Sequence, residues 1–251
     1  MLNIENEGNL IGLIVKNGKE TSTKLSVTDK ENTTRHGGSS FVCKPDEVLQ
    51  LIPNNKTERQ CIYICGQSGS GKSYFTTNYV KQYKKLFPKN DVFVISSIDE
   101  DKSIDSLNPK RINVLHEDFL YDEFTSKDFK DSLVIFDDID VFPTKIKKKV
   151  MTIVNNILVI GRHSNCSICF TTHNPTNGAE TKLLLSEAHV ITVFPRTTGN
   201  RALKYLLDSY LGLDKKQIDK LKKMKSRAVS VIRGYPMVIL GEKDVFLAHE
   251  F

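Results

Sequence analysis

Eight consecutive residues carry the clearest chemistry in this 251-residue chain: Gly66-Gln67-Ser68-Gly69-Ser70-Gly71-Lys72-Ser73. They match G-x-x-x-x-G-K-[ST] at every fixed position. The glycines let successive backbone N–H groups turn inward and cradle phosphate oxygens. A helix starting there adds the partial positive charge of its N-terminus. Lys72 is expected to reach the β- and γ-phosphates of ATP, and the Ser73 hydroxyl to ligate Mg²⁺. Tyr74 closes the expected cofactor-binding run. The plain alternative is a Gly/Ser-rich turn between a strand and a helix with no ligand.

Two further clusters fit the same chemistry. Leu133-Val134-Ile135-Phe136-Asp137-Asp138 is an apolar run ending in paired carboxylates. Asp137 is expected to hold Mg²⁺, directly or through water, and Asp138 to polarise the attacking water as a fixed base. Asp140 competes for that base role, and both aspartates could instead cap the next segment. Cys166–Thr171 leads into Thr171-Thr172-His173-Asn174. A polar side chain at such a strand end can sense a γ-phosphate. His173 is the first choice, with Asn174 and Thr172 behind it and a simple turn role beside them.

These residues need elements to hold them. From residue 60 the chain alternates strand and helix signals. Cys61–Cys65, Val92–Ser96, Ile112–Leu115, Leu133–Phe136, Ser167–Thr171 and Val190–Phe194 read as strands. Helices are expected over Ser73–Phe87, along the stripe Ile146, Val150, Ile153, Val154, Ile157 and Leu158, and over Glu180–Ala188, Asn200–Leu211 and Lys215–Lys225. Ala228–Arg233 and Met237–Leu240 suggest an antiparallel hairpin, with Asp244–Ala248 closing the chain. Apolar strands alternating with helices imply an α/β fold with a mostly parallel sheet covered on both faces, extended by the C-terminal strands at an edge. The domain expectation is an N-terminal segment, 1–58, partly irregular, followed by a P-loop domain, 59–251. Within the first segment, Asn9–Val15 reads as a strand, Lys16–Ser40 as a polar loop and Pro45–Leu51 as a helical turn.

Composition narrows the class. Apolar residues make up 39% and charged residues 26%, as in a globular protein. No apolar run approaches the roughly 18–20 residues of a membrane span. The N-terminus MLNIENEGNL lacks the basic and apolar regions of a secretory signal. The net charge of +6 is unevenly spread. Residues 99–131 hold ten acidic and five basic side chains, and residues 201–225 hold eight basic and three acidic. Lys145, Lys147, Lys148 and Lys149 form a second basic knot. Each cluster is either a solvated helix face or an electrostatic footprint for nucleic acid. The five cysteines suit a reducing compartment. Cys166 and Cys169 lie three apart in a strand-like run and so point to opposite faces, which favours core packing over a metal site.

The residues 66–73, 133–138, Gly161-Arg162-His163, CSICF leading to TTH at 171–173, and the late segment 226–240 together resemble the FtsK/HerA superfamily of DNA-pumping ATPases. Within it the chain is most similar to genome-packaging ATPases of large eukaryotic DNA viruses and virophages. The resemblance runs from Cys61 to Phe251. It implies an ASCE-type α/β core and a homo-oligomeric ring that drives double-stranded DNA into a preformed capsid. It also implies capsid or portal-vertex partners and a place in the host cytoplasm or viral factory and the virion. Relatives often carry Glu at the position of Asp138 and Gln at the position of His173. Lys147, Lys148 and Lys149 are the candidate DNA contacts, of the sequence-independent phosphate kind. The expected helix up to Ile160 puts Arg162 at the far edge of its own sheet, where it could serve a neighbouring subunit's ATP. Capping its helix is the alternative role. Rival readings are a nucleotide kinase, an AAA+ remodeller and a nucleotide-dependent interaction protein that does not hydrolyse.

Overall fold

Runs of β-branched and aromatic residues become strands throughout the chain. The computed structural model describes residues 1–29, 38–54, 56 and 59–250. The chain divides into two units: Thr57–Ala188, and Met1–Lys56 together with His189–Phe251. No helix among the described residues is long and apolar enough to cross a membrane.

The N-terminal part of the discontinuous unit supplies β1 (Leu2–Asn3), β2 (Asn9–Lys16), β3 (Lys19–Val27), β4 (Ser40–Val42) and β5 (Glu47–Leu51). Strands β1-β3-β2-β5 form an antiparallel sheet in that order. Two expectations fail here. Lys19–Val27 is a strand, not part of a loop; residues 30–37 of the expected loop lie outside the described residues. Glu47–Leu51 is a strand, not a helical turn. The cause is visible at Asn17-Gly18, which join β2 to β3 with φ of +49° and +75°, while Lys16 faces Lys19. Both residue types tolerate this left-handed backbone, and an Asn-Gly pair is the strongest short hairpin signal. The polar outward face of β3 hid the strand, and its partner β2 then gave β5 an edge to pair with.

The continuous unit holds the phosphate-loop motif. Its strands are β6 (Cys61–Cys65), β7 (Asp91–Ser96), β8 (Lys110–Asn113), β9 (Ser132–Phe136) and β10 (Cys166–Thr172). They run parallel in the order β6-β10-β9-β7-β8. β6, β9 and β10 are buried along their whole length, which is why they read as unbroken apolar runs rather than as alternation. The helices are α1 (Lys72–Leu86), α2 (Lys102–Asp105), α3 (Thr144–Ile160) and α4 (Gly178–Glu187). α1 buries Tyr79, Val80 and Tyr83, and α3 buries Val150, Ile153, Val154, Ile157 and Leu158. Both stripes follow the helical period.

The C-terminal part of the discontinuous unit contains β11 (Val190–Val193), α5 (Asn200–Ser209), α6 (Lys215–Lys223), β12 (Val229–Ile232), β13 (Val238–Leu240) and β14 (Asp244–Leu247). The expected hairpin is present as β12 and β13, with Ser230 opposite Leu240. The antiparallel order is β11-β12-β13-β14-β4. A capping box at Asp214 and Gln217 sets the start of α6.

Candidate active site

Strand order positions the site. β10 lies between β6, which feeds the glycine loop, and β9, which ends before Asp137. The register pairs Thr172 with Cys65 and Phe170 with Phe136, so the three strands finish together. Their C-terminal ends bring Lys72, Asp137, Asp138 and His173 to one place.

In the glycine loop, Gly69 and Gly71 take φ of +73° and +109°. A side chain at Gly69 would meet nothing within 4 Å, so backbone conformation rather than crowding selects glycine there. Gly71 caps α1 without any side-chain bond, and the first turn of α1 has no acidic residue. The helix therefore starts with unsatisfied N–H donors and an uncompensated dipole. Ser70 Oγ is buried with no hydrogen-bond partner. Gln67 and Ser68 are exposed, Ser73 is half-buried and Tyr74 projects outward, 72% exposed. Such a loop could cradle anionic oxygens.

Lys72 is buried, and its ammonium donates to Gly66 O at 2.8 Å. The same nitrogen lies 3.4 Å from Asp138 Oδ1 and 3.3 Å from His173 Nδ1. His173 Nε2 in turn lies 3.2 Å from Asp138 Oδ2. Asp138 has a left-handed backbone, φ +45°, which Asp tolerates better than most residues. Its N–H donates to Thr171 Oγ1 at 2.9 Å, and Thr171 Oγ1 donates to Asp137 Oδ1 at 2.8 Å. Burial pushes the Asp137 carboxyl above its ordinary range, and the charge of Asp138 adds to the shift. A cation against Asp137 would relieve both effects. With the Ser73 hydroxyl at the first turn of α1, the hard oxygen donors suit Mg²⁺.

Asp140 does different work. Its Oδ2 accepts from Thr172 Oγ1, from His173 N at 2.9 Å and from Asn174 N at 3.3 Å. It thus ties down the turn that carries His173. Asn174 holds that turn through its backbone: Tyr63 Oη donates to Asn174 O at 3.0 Å and Pro175 O at 3.1 Å.

The other named residues lie elsewhere. Arg162 is exposed in the short helical turn Gly161–Ser164, between α3 and the start of β10, at the opposite end of the sheet. Gly161 is needed there, since a Cβ would come within 2.8 Å of Ile157. Of the lysines, Lys147 pairs with Glu180 at 2.8 Å, and Lys149 donates to Asp122 O and sits over the Phe119 ring. Lys148 is exposed.

No family model matches the chain. The uncharacterized protein V3 of Sputnik virophage is 43% identical over 231 residues, covering 91% of each chain. This chain belongs to the same family as V3. Among solved structures, the cytoplasmic domain of the type VII secretion ATPase EccC from Thermomonospora curvata is similar at 12% identity with a TM-score of 0.51. That match covers 96% of this chain and 29% of EccC. The genome packaging NTPase B204 of Sulfolobus turreted icosahedral virus 2, in complex with AMPPCP, gives 15% identity and a TM-score of 0.49. It covers 73% of this chain and 98% of B204. The α/β P-loop NTPase fold expected from the sequence is the one observed, and V3 supplies a virophage relative.

Sequence reasoning missed three supporting residues. Thr171 joins the two carboxylates, and its only signal was a hydroxyl at a strand end. Tyr63 is fully buried and looked like core. Arg59 Nη1 donates to Ile157 O at 2.7 Å, capping the end of α3, and pairs with Glu187 at 3.4 Å. Nothing in a lone arginine before β6 marked it out.

Proposed function

We propose that the chain is a Mg²⁺-dependent ATPase that moves double-stranded DNA to package a viral genome. The observation that carries the ATPase part is the convergence of Lys72, Asp138 and His173 beside an uncapped helix start. Gly66–Ser73 would hold the phosphates, with Tyr74 at the rim. Ser73 and Asp137 would hold Mg²⁺, which would neutralise developing charge on the phosphates when bound. Lys72 would orient the γ-phosphate, and the pair Asp138–His173 would face the attacking water.

The packaging part rests on the sequence resemblance, through the Gly-Arg-His step and the C-terminal hairpin. What B204 is named for, packaging of a viral genome, is the activity proposed here. A head-to-tail ring gives Arg162 a use. The 17 residues of α3 span about 25 Å, beyond the reach of its own phosphate loop. Double-stranded DNA, other copies of the chain and a capsid or portal vertex are the proposed partners, in an infected host cell and the virion. For its organisation we propose an N-terminal segment, 1–58, serving an ATPase body, 59–251.

Phosphate release from ATP and Mg²⁺, measured with and without double-stranded DNA, tests this. Turnover that DNA stimulates is the expected result. ATP binding without turnover in either condition would leave a nucleotide-dependent interaction protein. Transfer of the phosphoryl group to a nucleotide instead of water would leave a kinase.

A further inference from the structure

Resting on the ATPase reading, we propose that His173 is the general base of the reaction, with Asp138 as its positioning residue and Lys72 as a cover removed by the substrate. The hydrogen-bond geometry assigns these parts. A lysine ammonium has donors only, so His173 Nδ1 must accept from Lys72 Nζ across their 3.3 Å contact. The ring proton then sits on Nε2 and donates to Asp138 Oδ2 at 3.2 Å. A carboxylate holding one ring nitrogen and leaving a lone pair on the other is the arrangement that makes imidazole a proton acceptor.

Asp138 is poorly placed to be the base itself. Oδ2 is taken by His173, and Oδ1 lies 3.4 Å from both Lys72 Nζ and Thr171 Oγ1. The His173 ring is held at both nitrogens, by Asp138 through Nε2 and by Lys72 through Nδ1, and the His173 backbone N–H donates to Asp140. Among the described residues, Asp138, Asp140 and Lys72 are the charged groups in contact with His173, from the segment just after β9 and the start of α1. Among the described residues, the group on Nδ1 is the Lys72 ammonium, the cation that a γ-phosphate attracts. Nucleotide binding therefore frees the lone pair at the moment a base is needed, and without nucleotide the base stays covered.

The step balances. A water O–H bond breaks and its proton passes to Nδ1. The water oxygen forms a bond to the γ-phosphorus, and the bond from that phosphorus to the bridging oxygen breaks, its electron pair leaving on ADP. Asp138 stabilises the imidazolium until the proton is lost to phosphate or solvent.

The test uses the full chain in single-turnover phosphate release, with nucleotide binding followed separately by a fluorescent ATP analogue. His173→Gln keeps a side chain that can contact Lys72 and Asp138, but it cannot take a proton. The expected result is a fall in rate of about 10²-fold or more with analogue affinity within about threefold of wild type. Imidazole added to His173→Ala should restore turnover saturably. In the double variant His173→Gln with Asp138→Asn, the loss should match the single His173→Gln loss, because the two residues act as a unit. His173→Gln retaining more than about a third of the wild-type rate would overturn the assignment and leave His173 a contact residue. So would failure of imidazole to raise the rate of a His173→Ala protein that binds the analogue normally. A wild-type chain with no turnover would instead remove the ATPase reading on which the proposal stands.

Discussion

The two ends of the parallel sheet β6-β10-β9-β7-β8 differ in chemistry. At the C-terminal end, the charged groups answer one another: Lys72 with Asp138, Asp138 with His173, Asp140 with the turn that holds His173. At the other end, Arg59 closes α3 and pairs with Glu187, while Arg162 projects from an exposed turn. On the proposed reading, one end takes a ligand of this chain, and the other carries the Arg162 turn, too far from its own glycine loop to serve it, as a head-to-tail assembly would use.

The comparison can be broken most directly at Lys72. Lys72→Ala should abolish ATP hydrolysis, measured as phosphate release, while far-UV circular dichroism stays unchanged. Turnover above about a tenth of wild type would remove the C-terminal end as the phosphate site. The next effect belongs to the opposite end. Arg162→Ala should lower turnover by about 10³-fold. Mixed with Lys72→Ala subunits it should regain part of that, because an intact site then meets an intact arginine. No recovery in a preparation shown to co-assemble would confine Arg162 to its own subunit.

Two smaller effects sharpen the picture. The sequence alone suggests that neutralising Lys147, Lys148 and Lys149 flattens the salt dependence of DNA binding by up to about three units of slope. With Lys147 paired to Glu180 and Lys149 held on the Asp122 main-chain carbonyl and the Phe119 ring, the expected change is nearer one unit, and Lys148→Ala alone should reproduce most of it. An unchanged slope returns this helix face to solvent. The smallest effect is thermal. Asp137 titrates above its unfolded value, so the unfolded chain loses that proton first. Stability is therefore lost as pH rises from the ordinary carboxylate range through the raised value, and the loss persists at neutral pH. Asp137→Asn without metal should raise Tm by about 2–4 °C at pH 7, and by less at pH 4. A Tm that falls at pH 7 would mean that the Thr171 bond outweighs burial.

The same contrast explains what could be read in the sequence. β6, β9 and β10 were legible because burial on both faces forces continuous apolar runs, and Gly66–Ser73 because phosphate chemistry fixes residue types at fixed spacing. The contacts of Asp138 and Asp140 were not legible. Both follow strand β9, and only the left-handed turn at Asp138 decides which faces Lys72 and which faces residues 172–174. Placing β10 between β6 and β9 likewise depends on sheet order, which local pattern does not encode. The turn signal at Asn17-Gly18 is legible, but the polar face of β3 reads as a loop.

β10 has one more consequence. It is seven residues long and hydrogen-bonded on both sides, to β6 and to β9. It begins just after Arg162 and ends just before His173. If Arg162 serves the next subunit, then the residue that registers one nucleotide and the residue that fires the neighbouring one are mounted on opposite ends of a single stiff rod. Such a rod transmits position rather than diffusing it. Neighbouring sites around a ring would then be out of phase, each cycle setting the clock for the next.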